Sequence, residues 1–313
     1  MKVSVSGASG YIGSSLCDKL LKDPSLNVTR LSRESIQGFE KSPELSDNAD
    51  WTNLLNDIDV FIHCAGLAHE TDGRKSSSLE RYLDINLKGT LQLARQVIGA
   101  GVKRFIYFSS ASIHGLSSGV RPLTERSSVE PLSFGAISKA LAEEKLRKIF
   151  EGSDTELVIL RLPLVYSFNA PGNFKSLLIH TAKGTPLPFK RVFNRRSLLS
   201  VNNLSDLVLN IVKSKGWISG TFMVSDDETI SLSDIIQNLA LGMGVKNPSI
   251  PVPTFIFVFF GRLFNKMVLV NKLIGDFEVD CSRVKQELNW SPPFEINAEL
   301  QKAGFEYKNR TKY

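Results

Sequence analysis

Seven residues near the start of the chain constrain its fold more than any others. Gly7-Ala8-Ser9-Gly10-Tyr11-Ile12-Gly13 is a GxxGxxG turn. It follows an apolar strand that begins at residue 2, and it opens a helix. The first glycine permits the tight turn. The second lets backbone N–H groups approach a pyrophosphate at the helix N-terminus, and the third lets helix and strand pack closely. Three glycines alone are weak evidence. With a strand before them and a helix after them, they point to dinucleotide binding rather than to an empty strand-to-helix turn.

The residues that follow supply the rest of such a fold. Short apolar runs at Val3–Ser6, Val28–Leu31, Val60–Cys64, Phe105–Ser109 and Leu157–Leu162 read as strands. Helical stretches lie at Tyr11–Leu21, Leu79–Ala100 and Ser138–Phe150. Strands alternating with helices specify βαβ units and a parallel sheet, and near-uniform apolarity means both strand faces are covered. The expected fold class is α/β, a Rossmann-like doubly wound parallel sheet with a smaller C-terminal α/β domain. After about residue 165 the alternation fails and prolines crowd, at 163, 171, 186, 188, 248, 251 and 253. Residues 1–165 are therefore expected to form the dinucleotide-binding core. Residues 166–313 are expected to be mostly substrate-binding, with some strands returning to the main sheet. The polar stretch Ser32–Asn48 is expected to be an irregular surface loop.

Composition excludes several classes. Of 313 residues, 42% are hydrophobic and 22% charged, a globular balance. The net charge of +6 is spread out. It suits an anionic small molecule or an acidic membrane surface but forms no stripe for nucleic acid. Cys17, Cys64 and Cys281 make no CxxC or CxxxH, so no metal site is expected. MKVSVSGASG has no apolar signal-peptide core, and a cytoplasmic location is expected. The apolar run Pro253–Gly261 is about half the ~20 residues of a membrane span. It reads as a buried helix or as an interfacial patch in peripheral contact with lipid.

The end of the second strand selects the cofactor. An acid there would hold the ribose 2′-hydroxyl. The chain instead carries Ser32 and Arg33 after Val28-Thr29-Arg30-Leu31. A hydroxyl beside a guanidinium suits a 2′-phosphate. The expected cofactor is NAD(P), leaning to NADP(H).

Four blocks in order give the chain a resemblance. They are the turn at 6–13, His63-Cys64-Ala65-Gly66-Leu67, Asn86-Leu87-Lys88-Gly89-Thr90, and Phe108-Ser109-Ser110-Ala111-Ser112-Ile113-His114-Gly115. Together they resemble the extended short-chain dehydrogenases/reductases of the NAD-dependent epimerase/dehydratase family. The second half narrows it to the nucleotide-sugar branch, through Arg161-Leu162-Pro163-Leu164-Val165-Tyr166, Pro171-Gly172-Asn173-Phe174 and Asn194-Arg195-Arg196-Ser197-Leu198. Within that branch it is similar to UDP-sugar 4-epimerases and UDP-4-keto-sugar reductases of surface-polysaccharide synthesis. The resemblance implies cofactor contacts from Ala65, Gly66, Leu67, Asn86 and Pro163 besides the turn and the Ser32–Arg33 strand end. It implies that Asn173 and Arg196 contact the substrate's nucleotide diphosphate, and that the protein is a homodimer.

The family mechanism moves a hydride between nicotinamide and a sugar carbon. A Tyr carries the hydroxyl proton, a Lys four residues later lowers the Tyr pKa and binds the nicotinamide ribose, and a Ser binds the reacting oxygen and so contacts the substrate. Ser110 and Lys139 take the Ser and Lys roles. The Tyr position is Gly135, in Leu132-Ser133-Phe134-Gly135-Ala136-Ile137-Ser138-Lys139. No Tyr lies between Tyr107 and Tyr166. The chain is thus an enzyme with a vacant slot, an enzyme using another group such as His114 or Ser138, or a cofactor- and sugar-nucleotide-binding protein without turnover. His114 itself reads either as a proton relay or as a histidine bonded to backbone.

Overall fold

A computed structural model describes residues 1–67 and 78–311. Its strands are β1 (Lys2–Ser6), β2 (Asn27–Ser32), β3 (Glu40–Lys41), β4 (Val60–His63), β5 (Arg104–Ser110), β6 (Glu156–Leu162), β7 (Leu164–Tyr166), β8 (Arg196–Ser200), β9 (Gly220–Met223) and β10 (Thr229–Ile230). Seven of them form one sheet in the order β3-β2-β1-β4-β5-β6-β9. Every pair in it is parallel, as expected from the βαβ pattern.

The strand alternation divides the sheet between two cores. Ile62, Ile106, Phe108, Val158 and Leu160 face the helices Tyr11–Leu20 and Val201–Lys213, through Leu16, Leu20, Leu204, Leu207 and Ile211. Phe61, Phe105, Tyr107, Leu157 and Ile159 face the helices Thr90–Gly99 and Phe134–Phe150, through Leu93, Val97, Ala142 and Leu146. Covering both faces explains the unbroken apolar strands. Removing a side chain such as fully buried Leu93 is expected to cost about 2–5 kcal/mol.

The chain leaves β1 toward β2 and β3, then crosses back to start β4 on the other side of β1. That reversal lies between β1 and β4, and ligands of such sheets bind outside the carboxyl ends of the strands there. The loop after β2 is not wholly irregular. Glu40 and Lys41 pair with Leu31 and Ser32 and close the sheet edge, a two-residue strand too short and too exposed to leave a pattern.

Strand β9 lies at the opposite edge of the main sheet, although it follows residue 165 by more than fifty positions. A second sheet, β10-β8-β7, forms beside it. It shares a core of Tyr166, Phe174, Leu198, Leu239 and Leu300 with the helices Gly172–Ala182, Leu232–Met243 and Ile296–Arg310.

Candidate active site

The glycine turn stands at the carboxyl end of β1, and each glycine has a separate reason. Gly7 has φ +67°, and a Cβ there would lie 2.7 Å from Ala65 N in the loop after β4. A Cβ on Gly13 would lie 2.2 Å from Gly7 O, so only glycine lets the helix start this close to the strand. On Gly10 the nearest atom is Gly7 O at 3.1 Å, which leaves that side of the turn open. Gly10 is also the N-cap of Tyr11–Leu20, with no side chain capping it and no acid in the first turn. The positive helix end, beginning with Tyr11, Ile12 and Gly13, is thus unneutralised, and an anionic pyrophosphate fits this cradle.

At the end of β2, Ser32 is buried, its hydroxyl 3.3 Å from Ser9 Oγ and accepting from Glu34 N at 3.2 Å. Arg33 is exposed and makes no ion pair among the described residues. Arg30 turns to Gly38 O at 2.9 Å and lies over the Phe39 ring.

Asn86 clamps the loop that follows β4. Its Oδ1 accepts from Leu67 N at 2.7 Å, while its Nδ2 donates to Leu67 O and to Ser138 Oγ, both at 3.0 Å. Asn86 lies in a π-wound stretch, Leu83–Gly89, of the helical run 79–99. Gly66 packs between the Asn86 and Lys139 side chains, with its Cβ position 3.1 Å from Asn86 Oδ1 and 3.6 Å from Lys139 Nζ. Ala65, Gly66, Leu67, Asn86 and Lys139 therefore form one cluster.

Lys139 Nζ donates to Phe108 O at 2.8 Å and stands 4.5 Å from the Tyr107 ring centroid. Burial lowers its pKa to about 8. Ser110, two residues beyond Phe108, ends β5 and caps the short turn Ala111–His114. Its hydroxyl lies 2.7 Å from Ser112 Oγ and accepts from Ser112 N at 3.2 Å. Pro163 follows β6, whose Leu162 pairs with Ser110. These residues share the carboxyl edge of the sheet with the glycine turn.

Gly135 lies in the first turn of Phe134–Phe150, which Ser133 caps by accepting from Ala136 N at 3.2 Å. The space at its face is not empty. A Cβ there would stand 3.5 Å from Tyr82 Cε1 and 4.0 Å from Tyr82 Cδ1, against the edge of the ring. Tyr82 is buried and also meets the Phe134 ring, with centroids 6.3 Å apart. Sequence reasoning missed Tyr82. The available signal was its spacing, four residues before Asn86, because Asn86 reaches Ser138 on the helix that carries Gly135.

His114 is buried, and both ring nitrogens are engaged. Nδ1 donates to Ser128 O at 2.7 Å, and Nε2 accepts from Arg161 Nη1 at 3.0 Å. With Nδ1 donating and Nε2 accepting, the ring carries a single proton, and burial lowers its pKa. Arg161 itself is held by Glu143 Oε2 at 2.7 Å. The proton-relay expectation for His114 finds no free nitrogen here. Ser138 is likewise occupied, donating to Gly135 O at 2.8 Å.

Asn173 is exposed in the first turn of its helix. Arg196 opens β8, and its Nη1 donates to Lys272 O at 3.0 Å and Gly275 O at 3.2 Å. No hydrogen bond or ion pair joins Asn173 or Arg196 to Ser110 or Lys139 among the described residues.

A profile of the NAD-dependent epimerase/dehydratase family matches residues 3–219. The chain belongs to this family. Within it, the UDP-glucose 4-epimerase of Vibrio cholerae is 33% identical over 298 residues, covering 93% of this chain and 90% of that one. The N-acetyl-α-D-glucosaminyl-diphospho-ditrans,octacis-undecaprenol 4-epimerase of Escherichia coli O157:H7 is 25% identical, covering 90% and 83%. Among solved members of the fold, UDP-glucuronic acid 4-epimerase from Bacillus cereus in complex with NAD superposes with a TM-score of 0.79 at 23% identity, over 99% of both chains. The glycine cradle, the Asn86-held loop and the Lys139–Ser110 edge all lie at the carboxyl ends of the strands, where ligands of such sheets bind.

Proposed function

We propose that the protein is an NAD(P)-dependent 4-epimerase of a UDP-sugar that feeds surface-polysaccharide synthesis. One observation carries this reading. The glycine turn, the Asn86-clamped loop and Lys139, bonded to Phe108 O two residues before Ser110, converge on a single sheet edge, in a chain one-third identical to a UDP-glucose 4-epimerase over nearly its whole length.

When bound, the nicotinamide supplies reversible hydride transfer at the sugar carbon. Gly7, Gly10 and Gly13 admit the pyrophosphate, and Ala65, Gly66, Leu67 and Pro163 line its path. On the adenosine side, exposed Arg33 beside Ser32 favours the 2′-phosphate of NADP(H). The solved relatives hold NAD. Ser110 Oγ donates a hydrogen bond to the reacting sugar oxygen. The Tyr82 phenolate, at the face of Gly135, takes the hydroxyl proton as the carbonyl forms, and the resulting phenol returns it when the carbonyl is reduced. Protonated Lys139 stabilises the phenolate before the first step and after the second. Asn173 and Arg196 take the nucleotide diphosphate, for which a planar guanidinium is suited.

A second reading is favoured by Gly135 itself, which has no hydroxyl. In that case the chain binds cofactor and sugar nucleotide without turning them over.

Proton NMR of the sugar C4 position decides between them. Purified protein with NAD(P)⁺ is mixed in turn with the gluco and galacto forms of UDP-hexose, UDP-N-acetylhexosamine and UDP-hexuronic acid. Interconversion of one pair without net nicotinamide reduction supports the epimerase. Tight binding of both ligands with no interconversion, and no hydride transfer, supports the non-catalytic protein.

A further inference from the structure

Two short helices, Thr254–Leu263 and Met267–Ile274, form a hairpin whose outer face is left uncovered among the described residues. Phe255 is 69% exposed, Phe259 60%, Phe260 49%, Leu263 62%, Phe264 62%, Val268 64% and Leu269 52%. Lone exposed apolar side chains are ordinary, but a contiguous group this large marks an interaction surface.

The hairpin's two helices pack on each other and on the body of the protein. Gly261 packs so closely on the second helix that a Cβ would lie 2.6 Å from Val270 Cγ2. The inner face is seated on the body of the protein, where Phe257 stacks on Phe189 with centroids 5.8 Å apart and Ile274 packs against the cluster of Leu187, Val192, Leu232 and Ile236. The outer phenylalanines are therefore held outward by a well-packed inner side. The aromatic rings also touch one another, Phe259 to Phe260 at 5.4 Å and Phe260 to Phe264 at 6.1 Å.

Charge selects the occupant. Residues 254–274 contain Arg262, Lys266 and Lys272 and no Asp or Glu. All three cations are exposed, and none makes an ion pair among the described residues. A second copy of the chain is a poor match, because a two-fold interface brings the same patch onto itself and would face these cations with their own copies. An anionic lipid surface matches both the rings and the charge. No helix among the described residues is long and apolar enough to cross a membrane, so the hairpin can only lie in the headgroup plane.

We propose that the hairpin 254–274 docks the protein on anionic lipid bilayers. Its base meets the substrate side of the molecule. Arg196 Nη1 bonds Lys272 O and Gly275 O, and Asn194 Nδ2 bonds Gly275 O at 3.0 Å. That link to the site rests on the proposed diphosphate role of Arg196, whereas the docking surface stands without it.

The test is flotation of the full chain with vesicles of phosphatidylcholine alone or with phosphatidylglycerol added, at low and high salt. Binding is expected with the anionic vesicles, weakening in high salt, and lower by roughly tenfold or more on neutral ones, since each basic residue near an anionic leaflet contributes a factor of about five. The variant Phe255→Ser/Phe259→Ser should lower vesicle binding by about tenfold or more while leaving the melting temperature and cofactor affinity unchanged, because both side chains are already in water. Absence of vesicle binding by folded protein overturns the proposal. So does a stable dimer in solution that the same variant converts to monomer, because the patch would then be covered by a second copy.

Discussion

The Tyr82 ring reaches to within 3.5 Å of the point where a side chain on Gly135 would begin. A phenol is therefore present beside the family's tyrosine slot, carried by a different helix. In the proposed mechanism Ser110 and Lys139 keep their places at the sheet edge and only the origin of the phenol differs.

The two positions should trade. Gly135→Tyr alone is expected to gain nothing and to cost about 1–3 kcal/mol, because the new ring would compete with Tyr82 for the same space. Combining Gly135→Tyr with Tyr82→Ala removes the clash and returns the phenol to the neighbouring backbone. Epimerisation by the double variant should recover to within about an order of magnitude of the parent, well above Tyr82→Ala alone. Steady-state rates and urea melts of the three variants check this.

The three glycines should fail differently. Gly13→Ala places a methyl 2.2 Å from Gly7 O, so the strand–helix junction must open and the melting temperature should fall. Gly10→Val projects toward the open side of the turn. It should abolish cofactor binding with a smaller loss of stability. Calorimetric titration beside thermal melts separates the two effects.

Arg33→Ala should weaken NADP(H) and spare NAD(H). The loss expected for one charge-assisted phosphate contact is about 1.5–3 kcal/mol. Equal weakening of both cofactors in binding titrations would remove Arg33 from the 2′-phosphate site.

Acid should destabilise the fold through His63. This ring is buried between Ser6 Oγ at 2.8 Å and Thr90 Oγ1 at 2.9 Å, and burial lowers its pKa to about 3, from 6.5. The unfolded chain binds a proton in that interval and the native chain does not. Stability from the neutral ring is therefore complete above about pH 6.5 and is lost as pH falls toward 3. His63→Asn should be less stable than the parent at neutral pH but should lose less between pH ~6.5 and ~4.5. Urea midpoints across that range test the difference.

Features set by local rules were legible in the sequence. The glycine turn was, because a positive φ at Gly7 and close packing at Gly13 leave no other residue type. The strands β4, β5 and β6 were, because a parallel strand covered on both faces is largely apolar, while β1 and the half-exposed β2 were placed by their spacing around the glycine turn. What sequence reasoning missed depends on contacts between distant segments. Tyr82 meets Gly135 across two helices and fifty-three positions, which no periodicity records. His114 offered two readings, and the choice lay with Arg161 and Ser128, brought to it by the fold. β9 is four residues long in the proline-rich half and gains its meaning only by pairing with β6. The run at 253–261 was open between core and interface. The structure divides it, because Phe257 packs inward while Phe255 and Phe259 stay exposed, and lipid contact is what the vesicle experiment tests.

The most direct test of the account is the rate of C4 epimerisation in the parent and in Tyr82→Phe, measured by proton NMR on the UDP-sugar that the parent turns over. Removing one hydroxyl from a buried ring leaves packing intact, so cofactor and sugar-nucleotide affinities should hold while the rate falls by about 10²–10⁴. A Tyr82→Phe variant as fast as the parent would contradict the account, since the proton would then be carried by some other group.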